Sequence, residues 1–301
     1  MSSVRDLKSP SQCDNPIAGR SETCCESFRD HVKTIIEIER ELLRVSSEYA
    51  SSEYSRYLIE ELGPCANYVR RSVLDVNSLV ALFHDIGKCT LQNQQSLKKR
   101  GTAPHHEFYS VRLLEAAMSV VLPELDECLA FKALAPAYLA ILLHHHSIRG
   151  KELKNIKYEL EKRSISDYRD IECSWKCLSS AIDLVPGLYI NRDLYVRRVA
   201  SSHGKITDYI GGLVHHVPTE SSYQPKAYRV AVLLSSVLLV ADVMAAKLNR
   251  ELCLTKEERD KTEVLRAMVK SRGFADSVFV EEFLKREELI EKCSKLLAEI
   301  K

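Results

Sequence analysis

Metal-capable side chains stand at five places in this sequence: His31, His84–Asp85, His105–His106, His144–His145–His146 and Asp242. Each place lies at or near an apolar stretch. The informative one is the doublet inside Phe83-His84-Asp85-Ile86-Gly87-Lys88. A hard carboxylate beside a borderline imidazole can serve one cation or join two. Carboxylates bridge cations and imidazoles do not. Asp85 is therefore the natural bridging ligand of a two-ion site, with histidines in the terminal positions. Gly87 keeps the backbone close and unobstructed. Lys88 lies one turn beyond His84, placed to offer positive charge to a phosphate oxygen. Asp242 sits within the run Val237-Leu-Leu-Val-Ala-Asp-Val-Met244, where a carboxylate is costly unless it is paired or metal-bound. Blander readings exist for each place: a solvated helix position for His31, a helix cap for His105 or His106, a buried ion pair for Asp242.

The elements that must position these residues are helical. Between Glu26 and Leu43 the apolar positions Phe28, Val32, Ile35, Ile36, Ile38, Leu42 and Leu43 have helical spacing. A second apolar stretch, Val73 to Phe83, runs into the doublet. Gly87 and the polar segment 92–102 predict a loop. A third helix is expected from His106 to Val121, ended by Pro123. A fourth, Ala133 to Leu143, runs into the three histidines, with Gly150 a plausible stop. A fifth spans Ala227 to Arg250.

Residues 1–22 read as a loose tail. Residues 23–250 read as one domain, with 150–225 a polar helical insertion over the site. Residues 251–301 read as an appendage of charged helices. The expected fold class is all-α, a bundle of about five core helices.

Composition narrows the rest. Hydrophobic residues make up 45% and charged residues 28% of the 301, and Gly and Pro are scarce at 10 and 9, which favours helix. The balance of 43 basic and 42 acidic residues gives no bulk support for nucleic-acid binding. It does not exclude it, because metal ions supply local charge. Ten cysteines include no Cys-x-x-Cys pair, so a zinc ribbon is not expected. They suit reduced, buried thiols; a disulfide is the alternative where intracellular proteins are disulfide-rich. The polar N-terminus lacks a secretory signal, and a cytoplasmic location is expected. The apolar run 230–246 carries Ser235, Ser236 and Asp242, so it reads as a buried helix and no membrane partner is expected.

The order His, His-Asp, His, His-His, Asp resembles the HD superfamily of metal-dependent phosphohydrolases. Within it, the chain is most similar to the CRISPR-associated HD nucleases of type I systems in their stand-alone form. The residues that carry the resemblance are Phe83-His-Asp-Ile-Gly-Lys88, His106-Glu-Phe-Tyr-Ser110, Ile141-Leu-Leu-His-His-His146 and Val240-Ala-Asp242, covering about residues 25–250. The resemblance implies an HD-domain bundle with two divalent ions. One would be held by His31, His84, Asp85 and Asp242, the other by Asp85, His106, His145 and His146. His105 is the alternative register to His106. Where the family has a pair, this chain has three histidines. His145–His146 is preferred because the small Ser147 follows, with His144 still possible.

That resemblance implies a nuclease cutting single-stranded DNA in CRISPR interference. Asp85 and Lys88 would act at the reacting phosphate. Histidine-rich ligation favours Mn, Co, Ni or Fe over Mg. Lys98-Lys99-Arg100 and Arg197–Arg198 are candidate strand contacts, or simple solvated charge. The chain has no Gly-x-x-x-x-Gly-Lys-[Ser/Thr] loop. A separate helicase subunit and an RNA-guided surveillance complex are therefore the implied partners. Rival readings are an HD phosphohydrolase acting on a nucleotide, and a non-catalytic HD scaffold. The spacing of His203, His215 and His216 gives them no role.

Overall fold

The computed structural model describes residues 17–20, 25–73, 75–145, 165, 167–201 and 226–255. It is an all-α bundle with one small two-stranded ribbon. The ribbon pairs β1 (Ile17–Arg20) antiparallel with β2 (Cys25–Ser27), with an irregularity between Ile17 and Gly19. Part of the expected loose tail is therefore ordered by backbone pairing. Ser27 ends β2 and caps α1 (Phe28–Glu41), its hydroxyl accepting from the Asp30 amide. The apolar stripe of α1, with Phe28, Val32, Ile35 and Ile38 all buried, turns inward as its spacing predicts.

The helices α2 (Arg44–Leu62) and α3 (Ala66–Ser72) follow, a region with no clear apolar stripe in the sequence. The buried face of α2 is made of Ala50, Tyr54, Tyr57 and Leu58. Its two tyrosine hydroxyls donate to backbone carbonyls of Ala133 and Lys132. Such polar tips let aromatic bodies fill a core without an orphaned donor.

Asp75 caps α4 (Val76–Phe83), in which every residue is buried. The doublet follows directly, and a 3-10 turn (Ile86–Cys89) carries Gly87 and Lys88. The loop expected at 92–102 is instead α5 (Leu91–Arg100), closed by Thr90 at one end and by left-handed Gly101 at the other. Its polarity misleads because two polar side chains do structural work inside. Asn93 donates to the Gly87 carbonyl and Gln94 to the Lys88 carbonyl. Both are almost fully buried.

The helix α6 spans His106–Val121 and α7 spans Glu127–Leu143, the latter starting earlier than expected because Asp126 caps it. Within the expected insertion, α8 (Tyr168–Ala181) packs on α1 and the 3-10 turn, and α9 (Arg192–Ser201) packs on α6. Ile171, Cys177, Leu178, Tyr195 and Val199 join the same apolar core as α1 and α7. Arg29 of α1 reaches the Asp183 carboxylate at 2.5 and 2.8 Å, beyond the end of α8.

The long α10 (Lys226–Thr255) crosses the bundle against α7, α1 and α2. It is long and apolar enough to cross a membrane on length and composition alone, and its inner face is core here. The reduced-thiol expectation fails at Cys89, Cys173 and Cys177, all of them disulfide-bonded. Cys89 and Cys177, both fully buried, form a disulfide between the 3-10 turn and α8. Residues 1–16 and 256–301, the expected stop at Gly150, and His146, His203, His215 and His216 lie outside the described residues.

Candidate metal centre

Four helix ends converge on Asp85. His31 comes from α1, His84 from the end of α4, His106 from the start of α6, and His144 and His145 from the end of α7. Asp242 comes from the middle of α10. Two groups of ligand atoms result, and Asp85 belongs to both. One contains His31, His84, Asp85 and Asp242; the other contains Asp85, His106, His144 and His145. Within each, the atoms lie within 4.8 Å of one another.

The two oxygens of Asp85 divide between the groups. Oδ2 lies 3.4 Å from His31 Nε2 and 3.3 Å from His84 Nε2. Oδ1 lies 3.0 Å from His106 Nε2. Asp242 Oδ1 closes the first group, 3.1 Å from His31 Nε2 and 3.9 Å from His84 Nε2. Asp85 is thus the residue that the two groups share.

The ring orientations are set from behind. His84 Nδ1 is 2.8 Å from the Ala81 carbonyl, His106 Nδ1 is 2.8 Å from the Ala103 carbonyl, and His144 Nδ1 is 2.5 Å from the Ile141 carbonyl. A carbonyl only accepts, so each Nδ1 carries the proton and each Nε2 is left facing inward. His31 differs: its Nδ1 is 2.7 Å from the Glu26 carboxylate, which is also held by the Asn249 amide. This is the outer arrangement that orients metal-binding histidines and raises their basicity.

These residues fit a divalent ion on their own evidence. The Nε2 atoms of His31, His84 and His144 and the Oδ1 atom of Asp85 are buried with no hydrogen-bond partner. Buried polar atoms are almost always satisfied. Four orphans aimed at common points are what a bound cation would resolve.

Electrostatics point the same way. Burial alone would raise the Asp85 pKa, but His84, Lys88, His106 and His31 hold it well below the usual carboxylate range. Burial also opposes ionisation of Asp242, and His31 and His84 hold it well below that range. Burial would lower the His84 pKa, yet Asp85 and Asp242 push it up to about 9. His31 is likewise held well above its ordinary value, against burial, by Asp242, Asp85 and Glu26. Protons on this group therefore stand in for a cation. In the other group, burial, followed by neighbouring histidines, keeps His144 well below its ordinary value and His145 at about 4.

Most sequence-derived candidates meet here. Of the three histidines, His145, one of the preferred pair, and the fully buried His144, the position left open, belong to the second group; His146 lies outside the described residues. The reason is that α7 continues its ladder through His144, whose amide donates to the Ala140 carbonyl, so His144 inherits the buried face. Of His105 and His106, the latter is in the site; His105 takes the left-handed conformation before α6, with φ 58°. Lys88 Nζ lies 2.5 Å from Asp85 Oδ2, at the edge of the first group. Lys98, Lys99, Arg100, Arg197 and Arg198 are exposed at the C-terminal turns of α5 and α9.

Two functional positions escaped the sequence reading. Glu26 looks like any acid at a helix start. Asn249 lies seven residues, two turns, beyond Asp242 on α10, and that spacing was the available signal.

Gly87 has a plain steric role. A Cβ there would fall 1.9 Å from the His106 carbonyl oxygen. Ser110 then locks the contact: it accepts from the Gly87 amide and donates to the His84 carbonyl. No family model, no curated protein and no solved structure matches this chain.

Proposed function

We propose that the chain is a metal-dependent phosphodiester hydrolase of the HD type. In this reading it is a nuclease for single-stranded DNA that works with a separate helicase subunit and an RNA-guided complex. The observation that carries the hydrolase is the division of the two Asp85 oxygens between two histidine groups. Bound divalent ions would supply an activated water and a clamp on phosphate oxygens. Mn, Co, Ni or Fe suits the donor set better than Mg. His31, His84, Asp85 and Asp242 would hold one ion. Asp85, His106, His144 and His145 would hold the other.

The chain's own groups do the rest. His31, His84, Asp85 and His144 are sealed from solvent, whereas Lys88, His145 and Asp242 are partly exposed. Substrate would approach over that wetter edge. Lys88 then stands where it can pass from Asp85 to a phosphate oxygen and stabilise the charge that develops there. The exposed cations of α5 and α9 support a strand whose backbone is held without its bases being read. The nuclease and its partners come from the family resemblance.

The test is a release assay on single-stranded DNA, duplex DNA and mononucleotides, with metal content measured on the same preparation. Single-strand cleavage with Mn, Co or Ni, abolished by Asp85→Ala, is the expected result. Turnover confined to mononucleotides would transfer the site to nucleotide hydrolysis. Turnover indifferent to Asp85→Ala would refute the site itself.

A further inference from the structure

A cavity of about 400 Å3 opens between α2, α3 and the start of α4. None of its lining residues belongs to the metal centre. Its lining combines apolar residues, Tyr54, Leu58, Val73 and Val76, with polar and basic ones, Ser51, Ser55, Asn67, Arg70 and Arg71. Neither guanidinium has an ion pair or a side-chain hydrogen bond to a described residue. Three of the four acids of α2 are already engaged: Glu48 by Arg44, Glu53 by Arg56 and Glu60 by Lys226. Two adjacent arginines that line a concavity therefore have no ion-pair partner among the described residues.

Planar guanidinium groups match the oxygens of a phosphate, with charge-assisted bonds that are stronger than neutral ones. The apolar residues of the same lining ask for an uncharged body on the same molecule. The volume falls in the range of small-ligand sites and suits something the size of a mononucleotide. We propose that this cavity binds a phosphomonoester with an apolar body of nucleotide size, at a site separate from the metal centre.

The location gives such a ligand a route to the centre. Ser51, also in the lining, accepts from the Asn77 amide, which also donates to the Ser47 carbonyl and so pins α4 to α2. Val76 opens α4 and His84 closes it, a rise of roughly 12 Å along one rigid helix. A ligand in the cavity presses on one end of the helix that carries the doublet at the other. The binding claim does not rest on the hydrolase reading.

The test uses the full chain stripped of metal with EDTA and titrated calorimetrically with AMP, adenosine, inorganic phosphate and an oligodeoxythymidylate. AMP should bind at least ten-fold tighter than adenosine or phosphate, since it alone uses both kinds of lining residue. The double variant Arg70→Ala/Arg71→Ala should weaken AMP at least ten-fold, while Arg197→Ala/Arg198→Ala leaves it unchanged. Both pairs are exposed, and an unaltered melting curve confirms folding. Absence of AMP binding, or equal binding by the Arg70/Arg71 variant, overturns the proposal. So does loss of oligonucleotide binding in that variant with AMP untouched, which would give the arginines to a nucleic-acid strand instead.

Discussion

His106 Nε2 and His145 Nε2 face each other at 3.1 Å, on the wetter side of the centre. Two lone pairs at that distance repel unless a proton or a cation lies between them. With its own Nδ1 committed to the Ala103 carbonyl, His106 has only Nε2 to give. The His145 pKa, pulled down to about 4 by burial and then by His106, keeps that ring neutral and ready to ligate. His145→Ala should therefore weaken one of two bound ions by on the order of 100-fold or more and leave the other near its original affinity. Counting Mn(II) per chain by titration checks this. Two ions with unaltered affinities would remove His145 from the ligand set.

Glu26 acts on the other group through His31. Its carboxylate accepts from His31 Nδ1 and is steadied by Asn249. Glu26→Gln keeps the shape and removes the charge. The expected effect is a loss of about 10- to 100-fold in affinity at the His31 ion only. Because His145→Ala should affect the opposite ion, the two variants together distinguish the groups. Equal weakening of both ions by Glu26→Gln would show a general loosening of the fold.

The centre was legible in the sequence to the extent that ligand chemistry and apolar context agreed. His31, His84, Asp85, His106 and Asp242 each interrupt or end an apolar helix, and all five converge. His144 was only the second choice on sequence, because the small Ser147 favours the later pair. The buried spacing Ala133, Ala137, Ala140, His144 on α7 carried the contrary signal. Glu26 had no signal, since its role exists only once β2 and α10 meet at α1. The helix α5 was hidden by polarity, because Asn93 and Gln94 are buried for the carbonyls they satisfy rather than for apolar area.

Gly87→Ala tests the closeness of the doublet turn to α6. The added Cβ would meet the His106 carbonyl at 1.9 Å and the Ser110 amide at 2.8 Å, both backbone atoms. Neither can rotate away. A destabilisation of about 3 kcal/mol or more is expected, at the upper end of overpacking costs. Metal binding should weaken with it, since His106 must move. A melting temperature within a degree or two of the parent's would show that the turn and α6 part easily.

Glu39, outside the ligand set, supplies a further pH dependence. Buried at 4% exposure, its carboxyl is pushed from 4.5 up to about 8, by burial first and by Asp75 next. A raised acid pKa means the folded state holds a proton that the unfolded state has released. Stability attributable to Glu39 should therefore fall as pH rises from about 4.5 to about 8, and level off above. At about 1.36 kcal/mol per unit, the full effect is on the order of 5 kcal/mol. The readout is the difference between the parent and Glu39→Gln in denaturant melts across that window. A difference that stays constant with pH would mean that Glu39 is ionised in the fold.

The Cys89–Cys177 bond has a topological consequence. It closes the chain between two positions 88 residues apart into a covalent ring. His106, His144 and His145 lie on that ring, whereas His31, His84 and Asp242 lie on the two arms that leave it. Asp85 stands four residues outside the knot. Closing a ring of this length removes about 4–5 kcal/mol of freedom from the unfolded chain. Cys173, also disulfide-bonded, lies on the same ring, so His106, His144 and His145 stay together on one tethered loop when the packing around them loosens.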